Sequence, residues 1–292
     1  NSFFNLDENY KFSNVNDNYF YSGDVYTSTS NMSKLVENLF NLYNAENKID
    51  FYFQTLIIKL NFKSELWNIT SNKNKEFTGR FLVCSSNLLL HKRSINILNV
   101  KEVPLREAIA KKNDIKIDEV IDKTNKQEYI KRINFLIFTK KNYNLEGIFN
   151  KEIVHFIFHK NLQKYIGFER IIIQKQFDKS LGIVIHTRNI DFLQNKYDME
   201  DEKILYQYVL NKLNSFLIKN KITFKNLLLS DISRMNWRAS QPIGEGIPER
   251  LQLCKEYNIG FCGDWIQLEG YGSAAGAVLS GLNLSNKFIE YY

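Results

Sequence analysis

The chain of 292 residues contains only three cysteines and three prolines. Cys84, Cys254 and Cys262 show no metal-ligand spacing, and an odd number of cysteines cannot all pair within one chain. Cys84 and Cys262 also fall within apolar runs of the kind that form buried strands. His155 and His159 are four residues apart in a strand-like run, and no third ligand is evident. The sequence therefore predicts no metal site, reduced thiols and a cytoplasmic location.

A long apolar run and a cluster of basic residues are also missing. No segment is long and apolar enough to span a membrane. The formal net charge of +7 comes from lysines spread along the chain rather than gathered in one stripe. These patterns argue against both a membrane and a nucleic acid as partner. The first residues, NSFFNLDENY, include no initiating Met, basic region or apolar run, which predicts a fragment or a processed product.

The sequence lacks the GxGxxG turn with which dinucleotide-binding folds hold a pyrophosphate. The segment GYGSAAG near the C-terminus is not such a turn, because its spacing differs. It also has no strand directly before it within a βαβ unit. Any nucleotide site in this chain must therefore be built from other residues.

Glycine, in contrast, is concentrated in one part of the chain. Seven of the 13 glycines lie between Gly244 and Gly276, where a compact backbone facing a ligand would need them. The stretch NIGFCGDWIQLEGYGSAAGAVLSGLNLSN predicts a strand, a loop and a helix. Ile259, Phe261 and Cys262 form the predicted strand, and the predicted helix begins near Ser273.

The beginning of this predicted helix carries no bulky side chain over its first turn. Gly272, Ser273 and two alanines leave the free N–H groups and the positive end of the helix dipole open to an anion or an electron-rich ring. Asp264, just after the strand, suits a sugar hydroxyl. Close packing of a small-residue helix on a strand explains the same pattern equally well, so both interpretations remain open.

The order CGDW, a short loop, GYGSAAGA and LSG resembles the C-terminal flavin motif of amine-oxidase-type flavoproteins, particularly the renalase-like branch of FAD-dependent oxidoreductases. The resemblance implies that Gly263 and Asp264 contact the ribityl-pyrophosphate part of FAD. It also implies that the helix N-terminus faces the O2 side of the isoalloxazine. The cofactor-binding residues that it implies are Ile57, Gly263, Asp264, Trp265, Gly272, Ser273, Ala274 and Ala275.

Earlier segments extend the resemblance. STSNMSKLVENL is similar to a helix opening in that family, with Asn31 in place of a Gly. Ile57 falls where the family has a Val that contacts adenine. RFLVCSSN falls on the returning strand, and Ser85 and Ser86 replace the usual turn with Pro. Small polar residues can still form that turn.

Four strand-like runs in the middle of the chain, INFLIFTK, EIVHFIFHK, RIIIQKQF and LGIVIHTR, predict an antiparallel sheet. In the resembled family such a sheet belongs to the substrate domain and roofs the flavin. Trp237, Arg238 and Gln241 of SRMNWRASQP are candidates for the active-site wall, and the first two are the candidate catalytic residues. Packing between domains is an equally good explanation for Trp237.

Together these features predict an α/β (α+β) protein with an FAD/NAD(P)-binding three-layer domain, incomplete at its N-terminus, and a substrate domain built on an antiparallel sheet. The predicted boundaries are 1–103 and 237–292 for the FAD domain and 104–236 for the substrate domain. The resemblance further implies that about fifty residues precede this chain in a parent protein, and that without them FAD affinity is poor.

The function that the resemblance implies is FAD-dependent oxidation of a small molecule. A small amine or a reduced nicotinamide-like donor would pass a hydride to the flavin, while the protein supplies orientation and electrostatics. The alternative is a truncated or degenerate family member that acts as a non-catalytic binding module.

Overall fold

The computed structural model describes residues 2–6, 12–14, 38, 41–42, 49–109, 114–139, 143–144, 153–176, 180–187, 202–219, 223–224 and 228–291. The chain divides into two compact units. The first unit comprises residues 1–49 and 131–240, and the second comprises residues 50–130 and 241–292. The helix opening expected at STSNMSKLVENL falls mostly outside the described residues.

The strands are β1 (Ser2–Leu6), β2 (Phe12–Asn14), β3 (Ile57–Lys63), β4 (Leu66–Ser71), β5 (Glu76–Gly79), β6 (Leu82–Cys84), β7 (Glu128–Thr139), β8 (Tyr143–Asn144), β9 (Ile153–Phe158), β10 (Arg170–Lys175), β11 (Leu181–Thr187), β12 (Thr223–Phe224), β13 (Ile232–Ile243), β14 (Ile247–Pro248), β15 (Leu253–Cys254), β16 (Ile259–Phe261) and β17 (Ile266–Gln267). The α-helices are α1 (Arg93–Leu98), α2 (Pro104–Ala108), α3 (Ile115–Lys126), α4 (Lys160–Ile166), α5 (Glu202–Lys219) and α6 (Ala274–Tyr291). In the described part of the chain, no helix combines the length and the hydropathy needed to cross a membrane.

The first unit is built on a seven-stranded sheet in the order β13-β7-β11-β10-β9-β1-β2. Alternate residues of β9 are buried, as expected for a strand that covers a core with one face. Helix α5 packs its apolar stripe on that face, and the ring of Phe216 contacts those of Phe156 and Phe158 at centroid distances of 5.2 and 5.3 Å. The predicted antiparallel sheet is present, since β7, β11, β10 and β9 pair antiparallel in turn.

The second unit contains two three-stranded sheets and the two-stranded sheet β14-β17. Strands β3, β4 and β5 form an antiparallel meander, and β6 joins β16 in parallel within the order β15-β16-β6. Trp67 on β4 is fully buried, and its indole N–H donates to the Tyr257 carbonyl at 2.8 Å. This bond ties the meander to the segment that leads into β16. A single buried apolar cluster joins both three-stranded sheets with α2 and α3.

The predicted domain boundaries differ from the compact units for residues 1–49, 104–130 and 237–240. Residues 1–49 belong to the first unit, because β1 pairs in parallel with β9, with Phe4 opposite Phe156. Residues 104–130 belong to the second unit, because α2 and α3 contribute Leu105, Ile117 and Val120 to its core. Many charged residues lie around α2 and α3, so the apolar stripe of these helices is hard to recognise in the sequence.

Candidate functional site

The candidate site lies at the carboxyl ends of the parallel strands β6 and β16. The Cys262 N–H donates to the Cys84 carbonyl at 3.1 Å, so both strands end side by side. Ligands of α/β sheets bind at this edge. Gly263 follows directly with a φ of 137°, which side chains rarely adopt, and a Cβ there would overlap the Trp265 indole. The backbone therefore turns sharply where a ligand would approach it.

Ser280 on α6 holds this turn in place. The serine is fully buried, and its hydroxyl oxygen accepts from the Gly263 N–H at 2.7 Å. The same hydroxyl lies within hydrogen-bond distance of the Ala277 carbonyl, at 2.7 Å. The helix is thereby fixed to the end of β16. The sequence contained the signal for this contact in the LSG of the motif, although no role was predicted for the serine.

The small residues of GYGSAAGA fall into two groups. Gly276 is buried, and a Cβ on it would overlap the carbonyl of Gly270. Ala274 and Ala275, on the first turn of α6, are exposed. Ser273 caps the helix, because its hydroxyl oxygen accepts from the Gly276 N–H at 3.1 Å. Close packing thus explains the glycine, whereas the two alanines leave the end of the helix accessible.

Asp264 lies half-buried between this helix and the strands. Its backbone carbonyl accepts from the Gly272 N–H at 2.9 Å, which closes the loop without using the carboxylate. Burial raises the pKa of the carboxyl group. Gly272, with a φ of 75°, lies against the Gln241 side chain, because a Cβ added to it would be 3.1 Å from Gln241 Cγ.

A network of polar side chains is hydrogen-bonded to the loop between Gly263 and Ser273. Arg93 Nη2 donates to Asn87 Oδ1 at 2.5 Å, and Asn87 Nδ2 donates to the Tyr129 hydroxyl at 2.5 Å. Tyr129 donates to Gln127 Oε1 at 2.8 Å, and Gln127 Nε2 donates to the Tyr271 hydroxyl at 3.0 Å. Sequence reasoning missed this network, because its members are distributed from residue 87 to residue 271 and form no local pattern.

A cavity of about 260 Å³ lies beside β6. Ile57, Cys84, Ser85 and Ser86 line it together with leucines of the meander and of the segment after β6. The structure therefore brings Ile57 next to the serine turn. Burial raises the pKa of the Cys84 thiol to about 12, so this cysteine stays protonated at neutral pH.

The side chain of Trp265 is buried. Its side chain is 2% exposed and packs in the core of the second unit, with its ring centroid 6.3 Å from that of Phe261. The indole is thus part of the core, and a role of Trp265 in cofactor binding stays a prediction. Its carbonyl does bond elsewhere, accepting from the Ile247 N–H at 3.0 Å.

The candidate catalytic residues lie on β13, in the first unit. Trp237 is 45% exposed. The side chain of Arg238 lies outside the described part of the chain. All eight predicted cofactor-binding residues belong to the second unit. The catalytic roles of Trp237 and Arg238 stay predictions.

No protein-family model matches the chain, and no curated protein sequence matches it. Its structure resembles that of a putrescine oxidase triple mutant from a structure-based redesign of cofactor binding, with a TM-score of 0.57, 10% identity, and coverage of 87% of this chain and 52% of that one. A CLA-producing fatty acid isomerase from P. acnes has a TM-score of 0.48 and 11% identity, with coverage of 86% of this chain and 51% of that one. This chain therefore spans about half the length of each. The likeness to the oxidase extends to the α/β fold.

Proposed function

We propose that the second unit is an FAD-binding unit of a flavin-dependent oxidoreductase of the amine-oxidase type. The substrate would be a small amine or a reduced nicotinamide-like donor. The observation that carries the proposal is the loop from Gly263 to Ser273, which brings a half-buried carboxylate and an open helix N-terminus to the carboxyl edge of two parallel strands.

The residues at this edge have the chemistry that FAD requires. Among the described residues, the only partner of the Asp264 carboxylate is its own backbone N–H, so it remains available to a sugar hydroxyl. The apolar cavity beside Ile57 and Ser85 is suited to a flat ring such as adenine. The capping serine satisfies one N–H of the first turn of α6, and those of Ala274 and Ala275 remain for a polar ligand atom.

Bound FAD would supply the hydride acceptor, which no side chain can replace. The chain contributes an electrostatic effect. The N-terminus of α6 carries a partial positive charge that stabilises negative charge close to it, without any proton transfer. The exposed position of Ala274 and Ala275 supports this role, because neither side chain blocks the approach of a ring.

The fold supports the same proposal. A putrescine oxidase studied for its cofactor binding shares the α/β fold at a TM-score of 0.57. The renalase-like assignment and the identity of the donor rest on the sequence motif and are part of the proposal.

A non-catalytic binding module is the second candidate. It is favoured by the lack of a GxGxxG turn in this sequence, since that turn supplies most of the pyrophosphate contacts in dinucleotide folds. A chain without the turn is expected to bind FAD weakly.

Absorption spectroscopy separates the two candidates. The purified chain is mixed with FAD, and the flavin bands are followed without oxygen after addition of a small amine or NADH. An oxidoreductase bleaches the bound flavin, whereas a binding module perturbs the flavin spectrum without bleaching it. A spectrum identical to that of free FAD contradicts both.

A further inference from the structure

In the polar network from Arg93 to Tyr271, each hydrogen bond has a defined donor and acceptor, and the assignment starts from Arg93. A guanidinium group carries only hydrogen-bond donors. Because Arg93 donates to Asn87 Oδ1, the amide nitrogen of Asn87 must face away from it, and it donates to the Tyr129 hydroxyl. The oxygen of Tyr129 therefore acts as an acceptor toward Asn87.

This assignment also determines the roles of the Tyr129 hydroxyl and the Gln127 amide. Tyr129 uses its single proton to donate to Gln127 Oε1 at 2.8 Å. The amide nitrogen of Gln127 then faces the Tyr271 hydroxyl at 3.0 Å and the Trp265 carbonyl at 3.3 Å. A carbonyl can only accept, so Trp265 sets the same amide orientation independently of Arg93. Arg93 and the Trp265 carbonyl therefore independently require the same orientation of the Gln127 amide.

Tyr271 is the last member and keeps an unused proton. Its oxygen accepts from Gln127, and among the described residues its hydroxyl donates to no acceptor. The ring has a fixed position, because Tyr271 stands between two glycines with φ values of 74° and 75°. A Cβ on Gly246 would lie 2.5 Å from Tyr271 Cε2, so the ring packs directly on that glycine. Burial raises the pKa of Tyr271, which keeps the hydroxyl protonated at neutral pH.

The Tyr271 hydroxyl lies close enough to the Asp264 carboxylate that, after burial, the Asp264 charge also raises the pKa of Tyr271. Gln127 Nε2 bonds both the Tyr271 hydroxyl and the carbonyl of Trp265, the residue after Asp264. The Asp264 carbonyl accepts from Gly272, the residue after Tyr271. A donor with a fixed direction therefore stands beside a carboxylate acceptor, at the edge where the strands end.

We infer that Tyr271 donates a hydrogen bond to the ligand beside Asp264, and that Gln127 is the positioning residue that fixes its direction. The pair selects a ligand with neighbouring hydroxyl groups, such as a sugar or sugar-alcohol chain. One hydroxyl accepts from Tyr271, and the next donates to Asp264. This inference rests on the proposed function for the view that the ligand is a flavin carrying such a chain.

Two flavins separate the hydroxyl contacts from ring contacts. Riboflavin carries a chain of four hydroxyls, and lumiflavin has a methyl group in its place. Tyr271→Phe keeps the ring on Gly246 and removes only the hydroxyl, so we expect it to weaken riboflavin binding about tenfold and to leave lumiflavin binding unchanged. Fluorescence titration of each flavin with the purified chain measures both constants.

Two further variants test the direction of the network. Gln127→Met keeps the length of the side chain and removes the amide, while the Trp265 carbonyl retains its bond from Ile247. We expect it to lower the preference for riboflavin about threefold or more. Tyr129→Phe is the matched control, because Trp265 still orients Gln127 without it. Its effect should be the smallest of the three.

The inference is overturned if Tyr271→Phe weakens both flavins equally, which indicates ring packing, or weakens neither. If Tyr271→Phe does not fold, an unchanged riboflavin preference in Gln127→Met overturns it instead. If the unaltered chain binds neither flavin, the proposed function fails, and ADP-ribose and adenine replace the flavins as probes. The inference then survives only if Tyr271→Phe weakens ADP-ribose binding selectively, and it falls if neither of these probes binds.

Discussion

Asp264 is the residue on which ligand binding should depend most. Its carboxylate is half-buried and takes no part in closing its own loop, which the backbone carbonyl does instead. Replacing it with Ala should weaken FAD binding by about 1–3 kcal/mol, as for a lost hydrogen bond to a charged group. Isothermal titration of FAD measures this. The result would count against the assignment if Asp264→Ala and the unaltered chain bound FAD equally.

Acid should weaken the same interaction. Burial raises the pKa of Asp264, so its charged form is lost at a higher pH than in an exposed aspartate. The dissociation constant for FAD should therefore rise as the pH falls through that pKa. In Asp264→Asn, which has no carboxyl group to titrate, this dependence should disappear. If the variant keeps the full pH dependence, another group causes it.

Ala274 and Gly276 should respond differently to enlargement, although both are small residues of one motif. Gly276→Ala places a Cβ against the Gly270 backbone and should cost about 1–3 kcal/mol of stability with or without flavin. Ala274 is exposed, so Ala274→Leu should leave the flavin-free melting temperature nearly unchanged and reduce only the increase caused by FAD. A large loss of stability in flavin-free Ala274→Leu would refute the interpretation that this residue faces the flavin.

At the scale of elements, Ser280 couples helix α6 to strand β16. Its hydroxyl accepts from the Gly263 N–H at 2.7 Å in a fully buried position. Ser280→Ala leaves that N–H without its partner and should lower the free energy of unfolding by about 1–3 kcal/mol. Ser285 is exposed on the same helix, and Ser285→Ala is the matched control. Equal urea midpoints for the two variants would contradict this role.

The sheet of the first unit should lose stability in mild acid. Burial first, and then the nearby Arg170, lowers the pKa values of His155 and His186 from 6.5 to about 4. Between these values the unfolded chain binds protons that the folded chain does not, so stability is full above pH 6.5 and falls as the pH drops toward about 4. In urea unfolding, His186→Gln should reduce this dependence of stability on pH. An unchanged pH dependence in His186→Gln would rule out this histidine as a cause.

The sequence predicted those elements whose information is local. The segment 258–286 contains strand, turn, cap and helix signals in order, and the structure forms β16, the turn at Gly263 and α6 from them. The ends of strands are less local, since β3 begins only at Ile57 and the segment from Glu76 to Cys84 divides into β5 and β6. Propensity alone cannot locate such ends, since pairing with neighbouring strands determines them.

For the whole molecule, the sequence predicted two units, and their predicted boundaries differ from those of the two compact units. The pairing of β1 with β9 joins residues 152 positions apart, as with Phe4 and Phe156, and no local sequence pattern predicts it. The network from Arg93 to Tyr271 could not be predicted either, because its members are far apart in the sequence. The sequence alone could not predict that the Trp265 indole packs in the core, because a tryptophan within a ligand motif has the same sequence pattern whether its indole faces the ligand or the core.

The central claim is that the second unit binds a flavin at the edge formed by β6, β16 and α6. Fluorescence titration of FAD with the purified chain and with Asp264→Ala tests this most directly. We expect saturable binding of FAD at one site, with a weak affinity because the sequence contains no GxGxxG turn. In Asp264→Ala the affinity should be lower by about tenfold or more. A titration without saturation, or identical curves for the two proteins, would contradict it.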